Sequence, residues 1–284
     1  DTNTSDLAIK AAQQAIDRSG INPDDIGVVI CATSTPDFGG FPSTACLVQR
    51  ALGLGQVPAF DIAAACTGFN YALECGELFV SSGKAKAALV IAGDCLSKVI
   101  NWDDRSTCVL FGDGAGAVVL TSVASGYGII KSTLYSDGTH SDILKIEPGV
   151  PRKPFHSDDR LEKSPYIVMK GPSVYKVAVA SVQKSVEQIL ADANVNPESL
   201  DAVIFHQANL RIMNAVRDRL GLSEEKVLTT IEKYGNTSAA SIPITLSEHI
   251  ESGHVKEGDL ILMVGFGGGF TWATTLVRYG GKES

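Results

Sequence analysis

Apolar residues recur along this chain in two rhythms. Over 5–19, 44–52, 67–82, 173–193, 210–220 and 239–252 they fall three and four apart, the period of a helix with one buried face. Between these stretches lie short, β-branched or alternating runs at 27–32, 59–62, 88–92, 115–121, 129–134, 202–205, 260–264 and 272–277, which predict strands. Strands alternating with helices predict an α/β protein whose sheets are buried on both faces. Residues 151–161 are polar and contain Pro151 and Pro154, which predicts an exposed loop.

The pattern occurs twice. Residues 15–31 (AIDRSGINPDDIGVVIC) and 189–205 (ILADANVNPESLDAVIF) both read as a helix end, an Asn-Pro turn and a strand. A second echo pairs Ser82-Gly83-Lys84-Ala85-Lys86 with Ser252-Gly253-His254-Val255-Lys256, each ahead of a strand, at nearly the same spacing. Two echoes in one order predict a duplicated βα unit, with halves at 1–125 and 126–284. The second half has a strand-like run at 127–134 before its first long helix. The first half has none, so an N-terminal strand and its connection are expected to be missing, and the chain, which opens on Asp1, is expected to begin after its natural start.

Composition narrows the function. Of the 284 residues, 44% are hydrophobic and 20% charged, and the net charge is −8. That balance argues against nucleic acid as a main partner, since phosphate binding needs a dense basic face. No apolar run reaches the length of a membrane span, and no signal peptide opens the chain. The six cysteines all fall within the first 108 residues, mostly inside apolar runs and without metal-site spacing. At least four of the six read as buried small hydrophobes in a reducing cytoplasm, with no metal site.

Four stretches carry candidate chemistry. Cys66 follows a short strand and small residues and precedes a helix. A helix N-terminus favours thiolate, so Cys66 is either a nucleophile or one more buried cysteine. His206 ends the run 202–205, the strand end at which α/β proteins bind ligands, but a lone histidine is also a common structural hydrogen bonder. Asn236, in Gly235-Asn236-Thr237-Ser238, reads by itself as a turn. Gly265-Phe266-Gly267-Gly268-Gly269-Phe270 lies between two strands, which disfavours a nucleotide loop and suits an amide-lined oxyanion pocket. The glycines of Phe111-Gly112-Asp113-Gly114-Ala115-Gly116-Ala117 read as a close-packed bend between strands.

Taken in order, Ala63-Ala64-Ala65-Cys66-Thr67-Gly68-Phe69, Phe111–Ala117, His206-Gln207-Ala208-Asn209, Gly235–Ser241 and Gly265–Trp272 resemble the beta-ketoacyl-ACP synthase III family across essentially the whole chain. The resemblance implies a duplicated thiolase-like fold, layered αβαβα with two mixed sheets. It implies an acyltransferase that condenses a primer acyl-CoA, acetyl-CoA or similar, with malonyl-ACP through an acyl-cysteine, initiating fatty-acid biosynthesis without a cofactor. It further implies a catalytic triad of Cys66, His206 and Asn236, and an oxyanion hole from the amides of Cys66 and Gly268. Arg105, Asn209 and Arg211 match positions lining the CoA/pantetheine entrance. Arg211, Arg217 and Arg219 form an implied docking face for the acidic acyl carrier protein, interrupted by Asp218. Phe41 matches a residue that caps the partner's acyl pocket in a homodimer. The family's N-terminal strand and its Trp/Arg pair for the CoA adenine have no counterpart before Asp1.

Relatives of the same fold differ at readable places. Elongating synthases use Cys-His-His. Degradative thiolases carry a late cysteine, and none follows Cys108 here. Chalcone-synthase-like enzymes share Cys-His-Asn but usually place proline in the late glycine loop. Three other readings stay open: a secondary-metabolism condensing enzyme, a papain-type hydrolase, and a non-catalytic binding subunit.

Overall fold

The computed structural model describes residues 2–147 and 166–281. The loop expected at 151–161, with His156, lies outside the described residues.

Two four-stranded sheets form the frame. The first half supplies α1 (Thr4–Ser19), β1 (Ile26–Ala32), α2 (Thr44–Ala51), β2 (Ala59–Ile62), α3 (Gly68–Ser81), β3 (Ala87–Asp94) and β4 (Gly114–Thr121). The second supplies β5 (Gly128–Ser136), β6 (Leu144–Ile146), β7 (Ile167–Met169), α4 (Gly171–Asp192), β8 (Ala202–Phe205), α5 (Leu210–Arg219), α6 (Ile231–Tyr234), α7 (Ser241–Glu251), β9 (Leu260–Gly267) and β10 (Thr271–Arg278). The sheet orders are β2-β1-β3-β4 and β5-β10-β9-β8.

The two sheets are built alike. β1 runs parallel to β3, and β3 antiparallel to β4; β8 runs parallel to β9, and β9 antiparallel to β10. β2 lies parallel on the free side of β1, and a single parallel bridge, Val203–Val227, marks the matching side of β8. The echoes seen in sequence are the same local structures. Asn22 accepts from the Asp24 amide at 3.1 Å, and Asn196 from the Glu198 amide at 3.0 Å. Gly83 and Gly253, which close α3 and α7, have φ of +72° and +73°, a left-handed turn that glycine adopts without steric cost. β5 pairs with β10, whereas β4 ends its sheet.

Alternation along the strands sorts the core into layers. Val29, Cys31, Leu89 and Ile91 pack against α1 and α2. Val28, Ile30, Val90, Ile204 and Met263 pack inward with residues of α3 and α7. Val203, Phe205, Leu262 and Val264 pack outward with α4 and α5. The layers therefore run helix, sheet, helix, sheet, helix, and α3 and α7 form the shared middle. Both faces of the central strands are apolar, which is why β3 is buried along its whole length.

The predicted elements form with ends unchanged, as at 59–62 and 202–205, or moved by at most three residues. The short pair β6 and β7, which hydrogen-bond antiparallel, was not anticipated, and neither was the single turn α6. A three-residue strand offers too few positions for a period to register.

Candidate active site

The site lies where the middle helices begin. β2 leads into a 3-10 turn, Ala65–Thr67, which feeds α3. Residue 66 is the centre of that turn, so the thiol sits ahead of the helix N-terminus. In the other half, the 3-10 turn Ser238–Ala240 feeds α7. The two turns meet: Ser238 Oγ lies 3.5 Å from Cys66 Sγ, on its donor side. Ala65 and Ser238 are both left-handed, with φ of +45° and +55°. Such backbone costs of order 1–3 kcal/mol per residue and concentrates at functional sites.

Cys66, His206 and Asn236 line one cavity of about 830 Å³. Its apolar walls include Leu144, Met169, Val174, Phe266 and Phe270, drawn from β6, β7, α4 and the end of β9. Of the cavity's lining, the β6, β7 and α4 residues carried no sequence signal, because isolated apolar side chains look alike wherever they point.

Cys66 is 8% exposed, and burial pushes its thiol up to about 12; the Ser238 hydroxyl works in the opposite direction. Burial thus works against the thiolate that a helix N-terminus favours.

His206 is held from several sides. Its amide donates to Val264 C=O at 2.7 Å, fixing it to the end of β9. Its ring packs edge-on against Phe266, with centroids 5.2 Å apart. Burial depresses its pKa to about 3, so the ring is neutral. Nδ1 lies 2.8 Å from Ser241 Oγ, which already accepts from the Gln207 amide at 3.2 Å. With the Ser241 hydrogen directed to Nδ1, the ring proton sits on Nε2, and the Ser238 backbone also hydrogen-bonds the ring.

Asn236 is fixed through both backbone and side chain. Its amide donates to Leu110 C=O and its carbonyl accepts from the Gly112 amide, both at 2.9 Å. Its Oδ1 accepts from the Ser238 amide at 2.9 Å, which leaves the Nδ2 hydrogens to donate. The glycines after Phe111 have more than a packing role. A Cβ on Gly112 would lie 2.2 Å from Tyr234 C=O, so only glycine lets this segment approach the Asn236 turn.

Gly267 meets Cys66 closely: a Cβ there would sit 2.7 Å from the Cys66 amide nitrogen. Gly268 follows in the turn to β10, and its carbonyl accepts from Thr271 Oγ1 at 3.2 Å. Asn209 and Arg211 line the cavity, and Asn209 caps α5 by accepting from the Arg211 amide at 2.8 Å. Arg105 is exposed in the 101–113 loop and is not among the cavity-lining residues. On the implied arginine face, Arg217 is tied to Asp218 at 2.7 Å and approaches Glu224, while Arg219 bonds Gln183. Arg211 stands at the cavity mouth. Phe41 is 91% exposed, far from the buried setting usual for a phenylalanine. Among the described residues, no group of three His, Cys, Asp or Glu could hold a metal, and no helix is long and apolar enough to cross a membrane.

Known proteins match the whole arrangement. Residues 60–138 match the family model described as 3-oxoacyl-[acyl-carrier-protein (ACP)] synthase III, and 190–279 match the model for its C-terminal part. A beta-ketoacyl-[acyl-carrier-protein] synthase III of Clostridium perfringens is 49% identical over 98% of this chain and 85% of its own length. The crystal structure of 3-oxoacyl-[acyl-carrier-protein] synthase III from Aquifex aeolicus superposes with a TM-score of 0.91 at 46% identity, covering 98% of this chain and 85% of that one. The priming beta-ketosynthase of a polyketide biosynthetic pathway has a TM-score of 0.89 at 32% identity, covering 99% and 83%. The duplicated thiolase-like layering expected from sequence is the fold these structures share. This chain belongs to the 3-oxoacyl-[acyl-carrier-protein] synthase III family.

Proposed function

We propose that this chain catalyses the decarboxylative condensation of a primer acyl-CoA with malonyl-ACP, the initiating step of fatty-acid biosynthesis. The observation that carries this reading is the meeting of Cys66, His206 and Asn236, from three separate stretches, around one cavity.

The reaction divides into two halves. Cys66 Sγ attacks the primer thioester and CoA leaves, giving acyl-Cys66. The amides of Cys66 and Gly268 hold the oxyanion. Malonyl-ACP then enters, and His206 Nε2–H and Asn236 Nδ2–H donate to its thioester carbonyl. As CO₂ leaves, that oxygen takes up enolate charge, and each donor is worth about 3–4 kcal/mol in the transition state. Neutral His206 suits this role, since it donates without bringing a charge into a buried site. The enolate carbon attacks acyl-Cys66 and releases 3-oxoacyl-ACP. Carbon dioxide loss drives the carbon–carbon bond without a metal or redox cofactor.

Other roles follow from position. Asn209 and Arg211 at the cavity mouth, with Arg105 in the exposed 101–113 loop, take the CoA and pantetheine arm. Arg211 and Arg219 meet the acidic carrier, with Arg217 secondary because its charge is already paired. Exposed Phe41 inserts into a second copy of the chain, making a homodimer. The halves divide at 125/126. Six free cysteines agree with a cytoplasmic setting. A priming condensing enzyme of secondary metabolism would use the same site, and the 32% identity to a polyketide priming ketosynthase keeps that reading in view. Incubation with a panel of acyl-CoAs and malonyl-ACP tests the proposal: a 3-oxoacyl-ACP from a short primer supports it, and no condensation with any primer contradicts it.

A further inference from the structure

Two hydroxyls that the reaction outlined above does not use tie the Cys66 turn to the glycine loop. Thr67 follows Cys66 and is fully buried, and Thr271 opens β10 directly after the loop. Their side-chain oxygens lie 2.8 Å apart. Thr271 Oγ1 also donates toward two carbonyls, Ala64 C=O and Gly268 C=O, each at 3.2 Å. Thr67 Oγ1 has one further neighbour, Thr271 C=O, also at 3.2 Å. Each hydroxyl carries one hydrogen, and carbonyls only accept. The Thr271 hydrogen is therefore shared by Ala64 and Gly268, and the Thr67 hydrogen turns toward Thr271, where both oxygens accept.

The two carbonyls belong to the two sides of the proposed oxyanion hole. Ala64 C=O also accepts from the Thr67 amide at 3.1 Å, which closes the turn around Cys66. Gly268 supplies the other amide in the proposed reaction. Strand pairing does not reach it: the β9–β10 ladder ends with Gly267 opposite Thr271, and Gly268, Gly269 and Phe270 make the turn. Phe270 is held by Asp137 through backbone bonds of 2.8 and 3.0 Å. Gly268 is held by the Thr271 hydroxyl. The two segments already touch, since a Cβ on Gly265 would lie 3.2 Å from Thr67 Cα and one on Gly267 2.9 Å from Cys66 Cβ. Contact limits how near they come. The directional hydroxyl bonds fix where Gly268 sits along the Cys66 turn.

We propose that Thr271, held by Thr67, is a positioning residue that sets the Cys66 and Gly268 amides at the spacing a thioester oxygen needs. The inference rests on the condensing reading given above. Among the described residues, neither threonine lines the cavity, so both act through the backbone they hold. The hole serves the carbonyl of the primer thioester and of acyl-Cys66. The malonyl carbonyl is served by His206 and Asn236, which are held by other contacts, Ser241 on the His206 ring and the Ser238 amide on Asn236 Oδ1. Loosening the threonine pair therefore damages acyl transfer and spares decarboxylation, a split that general unfolding of the site would not produce.

The test compares the wild type, Thr271→Val, Thr271→Ser and the double variant Thr67→Val/Thr271→Val. Three quantities are read: single-turnover CoA release from acetyl-CoA, malonyl-ACP decarboxylation without primer, and the infrared carbonyl band of carbon-13-labelled acetyl-Cys66. Thr271→Val is expected to slow CoA release about 10-fold, less than the roughly 100- to 1,000-fold cost of deleting an oxyanion donor outright. Decarboxylation should stay within about twofold of the wild type, because its donors are untouched. The acetyl carbonyl band should move to higher frequency, since weaker hydrogen bonds polarise the carbonyl less. Thr271→Ser keeps the hydroxyl and should restore all three. Wild-type CoA release in Thr271→Val, an unshifted band, equal losses in both half-reactions, or a serine variant as slow as the valine one would each overturn the proposal. If Thr271→Val does not fold, the double variant decides, because removing both hydroxyls leaves neither unpaired. Slowed release with decarboxylation retained supports the proposal there, and wild-type release contradicts it. No CoA release from the wild type with any primer would overturn the condensing reading, and this inference with it.

Discussion

The Gly112 amide donates to the Asn236 carbonyl at 2.9 Å, joining a glycine bend in the first half of the chain to a side chain of the site in the second. The contact forms because residue 112 has no Cβ, which would otherwise lie 2.2 Å from Tyr234 C=O. Gly112→Ala is expected to displace the Asn236 turn and to lower condensation at least 10-fold, while CoA release from a primer persists. Comparing the two half-reactions in this variant checks the expectation.

In the proposed reaction, Asn236 and His206 both serve the enolate. Asn236→Ala is expected to slow malonyl-ACP decarboxylation about 100- to 1,000-fold, the usual cost of one oxyanion donor. Acylation of Cys66 should change far less. Radiolabelled CO₂ release and primer-dependent CoA release, measured on the same preparation, separate the two effects.

Reactivity of Cys66 should report a buried thiol. Its pKa is pushed up to about 12, so alkylation by iodoacetamide is expected to rise about tenfold per pH unit from pH 7 to 9. A plateau near pH 8 would show a thiolate already formed. Peptide mapping assigns the label, because five other cysteines are present.

His206 links the site to acid stability. Its folded pKa, about 3, lies below the ordinary value near 6.5. The unfolded chain therefore binds more protons between those values. The stabilisation is fully present above about pH 6.5 and is lost as pH falls through the folded pKa. Asp94 acts with the opposite sign: its raised pKa favours the folded state at low pH and costs stability as pH rises. His206→Gln removes the first contribution, so urea midpoints should fall less steeply between pH 6.5 and 4 than in the wild type.

Docking charge is expected to be uneven across α5. Arg217 is 18% exposed and paired with Asp218, so Arg217→Ala should alter the KM for malonyl-ACP less than Arg211→Ala does. Equal effects in steady-state titrations with the carrier would count against Arg211 as the leading contact.

Much of this arrangement was legible in the sequence. The Asn-Pro echoes predicted a duplication, and Asn22 and Asn196 make the same cap in the two halves. Cys66 and His206 were candidates because each lies at the end of a strand, whereas Asn236 read by itself as a turn and joined them only through the resemblance of the motifs taken in order. What stayed hidden depends on tertiary contact. The upward push of burial on the Cys66 thiol did not show, because a helix N-terminus is visible in sequence and the depth of burial is not. Gly112 looked like packing because its partner, Tyr234, is remote in sequence. Asp94 carried no signal at all, since a carboxylate at the end of an apolar strand gains meaning only when Thr33, Ser34 and Thr35 are brought onto it. Arg217 looked available until Asp218 and Glu224 were placed around it.

The most direct test of the condensing reading is the mass of the Cys66 peptide after exposure to acyl-CoA primers, from acetyl to decanoyl and branched. The account predicts a primer-dependent acyl adduct on Cys66 that disappears on adding malonyl-ACP, with 3-oxoacyl-ACP formed in equal amount. An unmodified Cys66 with every primer, in folded protein, would contradict it.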